Sequence, residues 1–215
     1  MNQQKLPPDP LVLSYLALRK AVGIVGFALP FALGIGGFLL SRQGIQITMS
    51  DYYYTGMRNV FVASLCTIGI FLMSTRGYGL NDEITGRLAA FFAIGIALFP
   101  TTPAGDATSR AKAIGTIHLS CAALFYLTVA FISIVLFTKT SANSVPTPQK
   151  LQRNTVYRVC GFAILACISL ILVFELLPDT NSLAKLTPVF WLESVASVAF
   201  GVSWLVKGET ILKDQ

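Results

Sequence analysis

The stretch PVFWLESVASVAFGVSWLV, residues 188–206, is apolar over its whole length except for one carboxylate, Glu193. A bilayer core of about 30 Å is crossed by roughly 20 residues of helix, so this run is long enough to span. A charge placed in that core costs about 2.5–3.5 kcal/mol on insertion scales, so a buried carboxylate persists by pairing or by function. Thr187-Pro188 reads as an N-cap followed by proline in the first turn, a start signal for a helix. The stretch therefore predicts a transmembrane helix carrying a polar group near its beginning.

Outward from this run, the whole chain has the same character. Of its 215 residues 54% are hydrophobic and 12% charged, where a soluble domain carries about a quarter charged residues. The fold class expected is all-α, a polytopic membrane bundle in one domain spanning 1–215. Six segments reach or approach spanning length: 17–40, 58–74, 87–100, 113–138, 155–174 and 188–206. The third is the shortest apolar run, with Arg87 able to snorkel at one end and Pro100–Pro103 extending the other; a re-entrant segment is its alternative. Pro30 is expected to kink the first helix. Residues 141–149 form the one Ser/Pro-rich stretch and read as a linker between four helices and the last two.

Charge places the ends. Eleven basic residues (Lys5, Arg19, Lys20, Arg76, Arg87, Lys139, Lys150, Arg153, Arg158, Lys207 and Lys213) flank one side, against five on the other (Arg42, Arg58, Arg110, Lys112 and Lys185). The positive-inside rule then puts both termini in the cytoplasm. The net charge of +6 comes from cations scattered singly between apolar runs, with no basic stripe, so nucleic acid is not an expected partner. Membrane lipids are. No cleavable signal peptide is expected, because the first apolar run is too long and lacks a small-x-small site. The four cysteines all sit in apolar runs and read as small packing side chains. Gly23, Gly26, Ser197 and Gly201 allow close helix approach, within a bundle or in a homo-oligomer.

In this orientation the second, fourth and sixth helices begin on the outer side. Their first turns carry Arg58 and Asn59, then His118, then Glu193 and Ser194. At 1.5 Å per residue, His118 and Glu193 lie roughly 7–9 Å below the outer ends, at one depth. An outward-facing polar pocket is expected there, with Asp51, Tyr53 and Asp106 added from the outer loops. At the cytoplasmic ends the charges are expected to stay in the loops. Each residue also has a structural alternative: an interfacial belt for the tyrosines, solvated charges for the aspartates, a snorkelled end for Arg58 and a helix–helix hydrogen bond for His118.

The chemistry narrows by exclusion. One histidine cannot build a three-His zinc site, and no G-x-S-x-G, H-E-x-x-H, P-loop or Rossmann fingerprint occurs. A lipid or small amphiphile is the expected ligand, phosphate at Arg58 and acyl chains between helices. A membrane-embedded hydrolase with a carboxylate–His site holding a divalent metal is the alternative, and a small proton-coupled carrier the third. No other cofactor is expected.

The segments Ser50-Asp51-Tyr52-Tyr53, Arg58-Asn59-Val60-Phe61-Val62, Leu98-Phe99-Pro100-Thr101, Ile117-His118 and the run from Phe200 to Glu209 carry a resemblance. The chain resembles bacterial six-span membrane proteins of the domain of unknown function 998 family, whose layout is similar to that of Frag/DRAM/Sfk-type proteins. The resemblance implies a six-helix bundle in the bacterial inner membrane. It implies no activity, and no catalytic residue follows from it.

Overall fold

The computed structural model describes residues 10–42, 44–74, 79–140, 146–176 and 186–211. These are helical, with no strand among the described residues: α1 Pro10–Ser41, α2 Arg58–Ser74, α3 Leu80–Leu98, α4 Ser109–Phe131, α5 Pro148–Leu176 and α6 Pro188–Lys207. A 3₁₀ helix, Ser50–Tyr54, precedes α2, and a π-helical turn, Ile132–Leu136, continues α4. Four helices are long and apolar enough to cross a membrane: α1, α4 with its π turn, α5 and α6. The apolar α2 is shorter, at 17 residues, and α3 carries Asp82, Glu83 and Arg87 in its first turns.

The helices pack in chain order, each against the next, and α6 closes on α1. The core between them is apolar, with Leu33, Leu72, Val129, Ile164 and Phe200 all but inaccessible. In lipid, apolar contact alone does not drive helices together, and close packing with a few hydrogen bonds has to do so. The α1–α6 seam shows both. A Cβ on Gly201 would lie 2.5 Å from Phe27 N, one on Gly23 2.8 Å from Leu205 N, and Ser197 Oγ donates to Gly26 O at 2.7 Å. These small residues are thus occupied within one chain. A second polar clasp, Ser133 Oγ with Ser203 Oγ at 2.8 Å, joins the π turn to α6.

Several boundaries differ from those expected. α1 begins at Pro10 and runs through Pro30 without interruption. α3 begins at Leu80, before Arg87, because the charged first turns are held by side-chain pairs: Arg87 with Glu83 at 2.5 Å and Asp82 with Lys139 at 2.7 Å. α5 begins at Pro148, inside the stretch read as a linker. Residues 141–145 of that linker, and Lys5, Arg76, Lys185 and Lys213 of the charge count, lie outside the described residues.

Thr187 does hold the position before Pro188, but its hydroxyl makes no capping bond and its backbone is left-handed, at φ 48°. The reason is visible at Phe190, whose orphan N–H donates to Ile47 O at 3.0 Å. The loop after α1 therefore caps α6 in place of the threonine.

Candidate functional site

The loop that caps α6 also fills the place where an open polar pocket was expected. Thr48 and Asp51 bind each other reciprocally, Thr48 N–H to Asp51 Oδ2 and Asp51 N–H to Thr48 Oγ1, both at 3.0 Å. This exchange is of the capping-box kind and starts the 3₁₀ helix. It drives Tyr52 inward until the ring is fully buried, against Phe190 at a centroid distance of 6.0 Å. The aromatic ring fits because α1 offers Gly37 there, where a Cβ would lie 2.9 Å from it. Met57 seats against Gly36 in the same way.

Two of the expected site residues hold this segment from below. The Met49 N–H donates to Glu193 Oε2 at 2.5 Å. His118, 3% exposed, lies with Nε2 2.9 Å from Ser50 Oγ and Nδ1 2.6 Å from Phe99 O. A carbonyl only accepts, so Nδ1 carries the ring proton, and Nε2 of the neutral ring accepts from the Ser50 hydroxyl. Glu193 and His118, from two helices, thus bind neighbouring residues of one loop. They are brought to the same end of the bundle, as the sequence implied, with Met49 and Ser50 between them.

The other candidates are arranged around the rim. Arg58 is exposed; its guanidinium stacks over the Tyr53 ring at 4.3 Å and donates to the Tyr53 hydroxyl at 2.7 Å. Tyr54 donates to Thr101 O at 2.6 Å, tying the loop before α2 to the one before α4. Burial and the nearby Tyr53 and Asp51 push the Tyr54 phenol above its ordinary value, against the pull of Arg58. Asn59 and Asp106 are exposed. Ser194 is buried and its hydroxyl donates back to Phe190 O at 2.7 Å, a bond within its own helix.

Sequence reasoning missed Ser50, Met49 and Phe99. The T-M-S-D run at 48–51 was the available signal, because Thr-x-x-Asp is a capping pattern. The backbone groups that engage Glu193 and His118 leave no trace in side-chain identity.

For metal chemistry the donors are poorly placed. Both ring nitrogens of His118 are engaged, and no group of three or more His, Cys, Asp or Glu comes together among the described residues.

Beside this end, an apolar groove of about 600 Å³ runs between α1 and α6. Pro30, Phe31, Ile35 and Phe38 form one wall, and Trp191, Val195 and Val198 the other. Leu39 and Ile45 also line it, and Arg42 stands exposed between them in sequence.

The expectation that charges at the opposite end stay in loops is overturned. Arg153, on α5, is 8% exposed, and Lys207, the last residue of α6, is half-buried. Lys207 Nζ lies over the Phe137 ring, and Lys150 Nζ lies over the Tyr157 ring and donates to Phe137 O, so aromatic faces and one carbonyl receive these two helix-end cations.

No protein family model, curated protein or solved structure matches this chain.

Proposed function

We propose that the chain is a six-span protein of the inner membrane, both termini cytoplasmic, that binds a membrane lipid or similar amphiphile at its outer end. The observation that carries this reading is the α1–α6 groove. Its walls are almost wholly apolar, and it opens on helix faces bearing exposed Phe31, Ile35, Phe38 and Val195. An apolar slot of this kind suits an acyl chain. The acyl chain would lie between α1 and α6, and Arg42, exposed between the lining residues Leu39 and Ile45 in the chain, is the cation offered to a head group. Arg58 stands with Tyr53 on the α2 side. The ring of helices in chain order, and the resemblance to the domain of unknown function 998 proteins, agree with six crossings. No observation favours the hydrolase or the carrier over this reading.

The test fills the groove. Val195→Trp adds bulk at an exposed groove position, and Gly34→Ile adds it where a Cβ meets only Phe190 at 3.8 Å. Both variants are expected to fold and to lose lipid that co-purifies with the unmodified protein, read by mass spectrometry. Unchanged lipid identity and occupancy in both would end the proposal.

A further inference from the structure

Ser50 and His118 meet with Oγ 2.9 Å from Nε2, and the other ring nitrogen, Nδ1, is held by Phe99 O at 2.6 Å. An activated nucleophile has this arrangement: a hydroxyl within about 2.6–3.2 Å of a base whose orientation a third group fixes. With the ring proton on Nδ1, Nε2 turns its lone pair to the hydroxyl, the tautomer that a general base requires. The Phe99 carbonyl stands where a serine triad has its carboxylate.

The chain on both sides of that hydroxyl is pinned. The Met49 N–H goes to Glu193 Oε2, and the Asp51 N–H to Thr48 Oγ1. Tyr52 is locked between Gly37 of α1 and Phe190 of α6. Ser50 is thereby presented in one position, as the first residue of the 3₁₀ helix. Its own N–H enters no backbone hydrogen bond among the described residues. A donor is thus left beside the place where an oxyanion would form. Ser50 is 9% exposed and His118 3%, so little water competes for either group and polar interactions there are strengthened. Met49 and Tyr52 are buried as well, surroundings that favour an apolar acyl group over a charged one.

We propose that Ser50 and His118 form a catalytic dyad that hydrolyses a carboxylic ester with an apolar acyl chain. Ser50 Oγ attacks the ester carbonyl carbon while its proton passes to His118 Nε2. Collapse of the tetrahedral intermediate breaks the bond from the carbonyl carbon to the alkoxy oxygen, and the alcohol leaves with that proton. Water then attacks the acyl–Ser50 carbonyl, giving its proton to the same nitrogen. The carboxylic acid departs, and the proton returns to Ser50 Oγ. The inference goes beyond lipid binding, and it stands on the Ser50–His118 contact whatever occupies the α1–α6 groove.

The full chain in neutral detergent would be treated with an alkyl fluorophosphonate, whose P–F bond an activated serine breaks with release of fluoride, and the adduct mapped by tandem mass spectrometry. A stoichiometric adduct on Ser50 is expected, with exposed Ser109 unmodified. The protein is also expected to hydrolyse p-nitrophenyl decanoate with an initial burst of nitrophenol, which Ser50→Ala abolishes. His118→Gln is expected to slow adduct formation by about a hundredfold or more, with thermal unfolding confirming that the variant is folded. The proposal is overturned if Ser50 of the unmodified protein takes up no more label than Ser109, a result that depends on no variant. It is equally overturned if folded His118→Gln labels Ser50 at the unmodified rate, since the histidine then serves only to hold the loop.

Discussion

Glu193 stands in an apolar run because it accepts a backbone N–H that would otherwise be buried. Removing the acceptor while Met49 stays in place leaves an unsatisfied donor, at a cost of about 1–3 kcal/mol. Glu193→Ala is therefore expected to lower the unfolding temperature and to loosen the segment before α2, whereas Glu193→Gln retains an oxygen and loses less. A cysteine placed at Met57, buried in the intact loop, would report the loosening as faster maleimide labelling in the Ala variant. Equal labelling in all three proteins would show that Glu193 does not hold the loop.

Tyr54 gives a pH-dependent counterpart. Its phenol is raised above 10.0 in the folded protein, so the neutral form is favoured by folding. That contribution is fully present below 10.0 and is lost as pH rises through the higher folded value. Melting temperature is expected to fall on the alkaline side of 10.0, and Tyr54→Phe to flatten part of that fall.

At the scale of elements, the α1–α6 seam is a joint of backbone against backbone. Gly201→Val would bring a Cβ within 2.5 Å of Phe27 N and 2.7 Å of Gly23 O, both backbone atoms that cannot step aside. Overpacking of this kind costs about 1–3 kcal/mol. Gly44→Ala meets nothing within 4 Å and is expected to be neutral in the same thermal unfolding assay. A neutral Gly201→Val would mean that α1 and α6 are not in register as described.

The same seam explains why α6 needs no side-chain cap. Ile47 O accepts the Phe190 N–H of its first turn and the Met49 N–H donates to the Glu193 carboxylate, so the loop and the helix stabilise each other.

For the molecule as a whole, alternation of helix direction is the governing feature. The starts of α2, α4 and α6 share one end with the Glu193 and His118 contacts, while Asp82 of α3 meets Lys139 after α4 at the other. If all six helices cross, positions 44 and 105 lie on one face of the membrane and position 139 on the other. In a background lacking Cys66, Cys121, Cys160 and Cys167, single cysteines at Gly44 and Gly105 are expected to react with an impermeant maleimide from outside intact cells. A cysteine at Lys139 is expected to react only after the membrane is opened. Labelling of all three from the same side would rule out the six-span arrangement.

The sequence by itself determined that this is a helical membrane-type chain, because long apolar runs and sparse charge impose helix wherever backbone must be satisfied without water. It also placed His118 and Glu193 at one end, since helix rise converts residue count into depth. Tertiary structure alone decided what those groups do. Their partners are the Met49 N–H, the Phe99 carbonyl and the Ser50 hydroxyl, and which of these comes near depends on how a loop folds back.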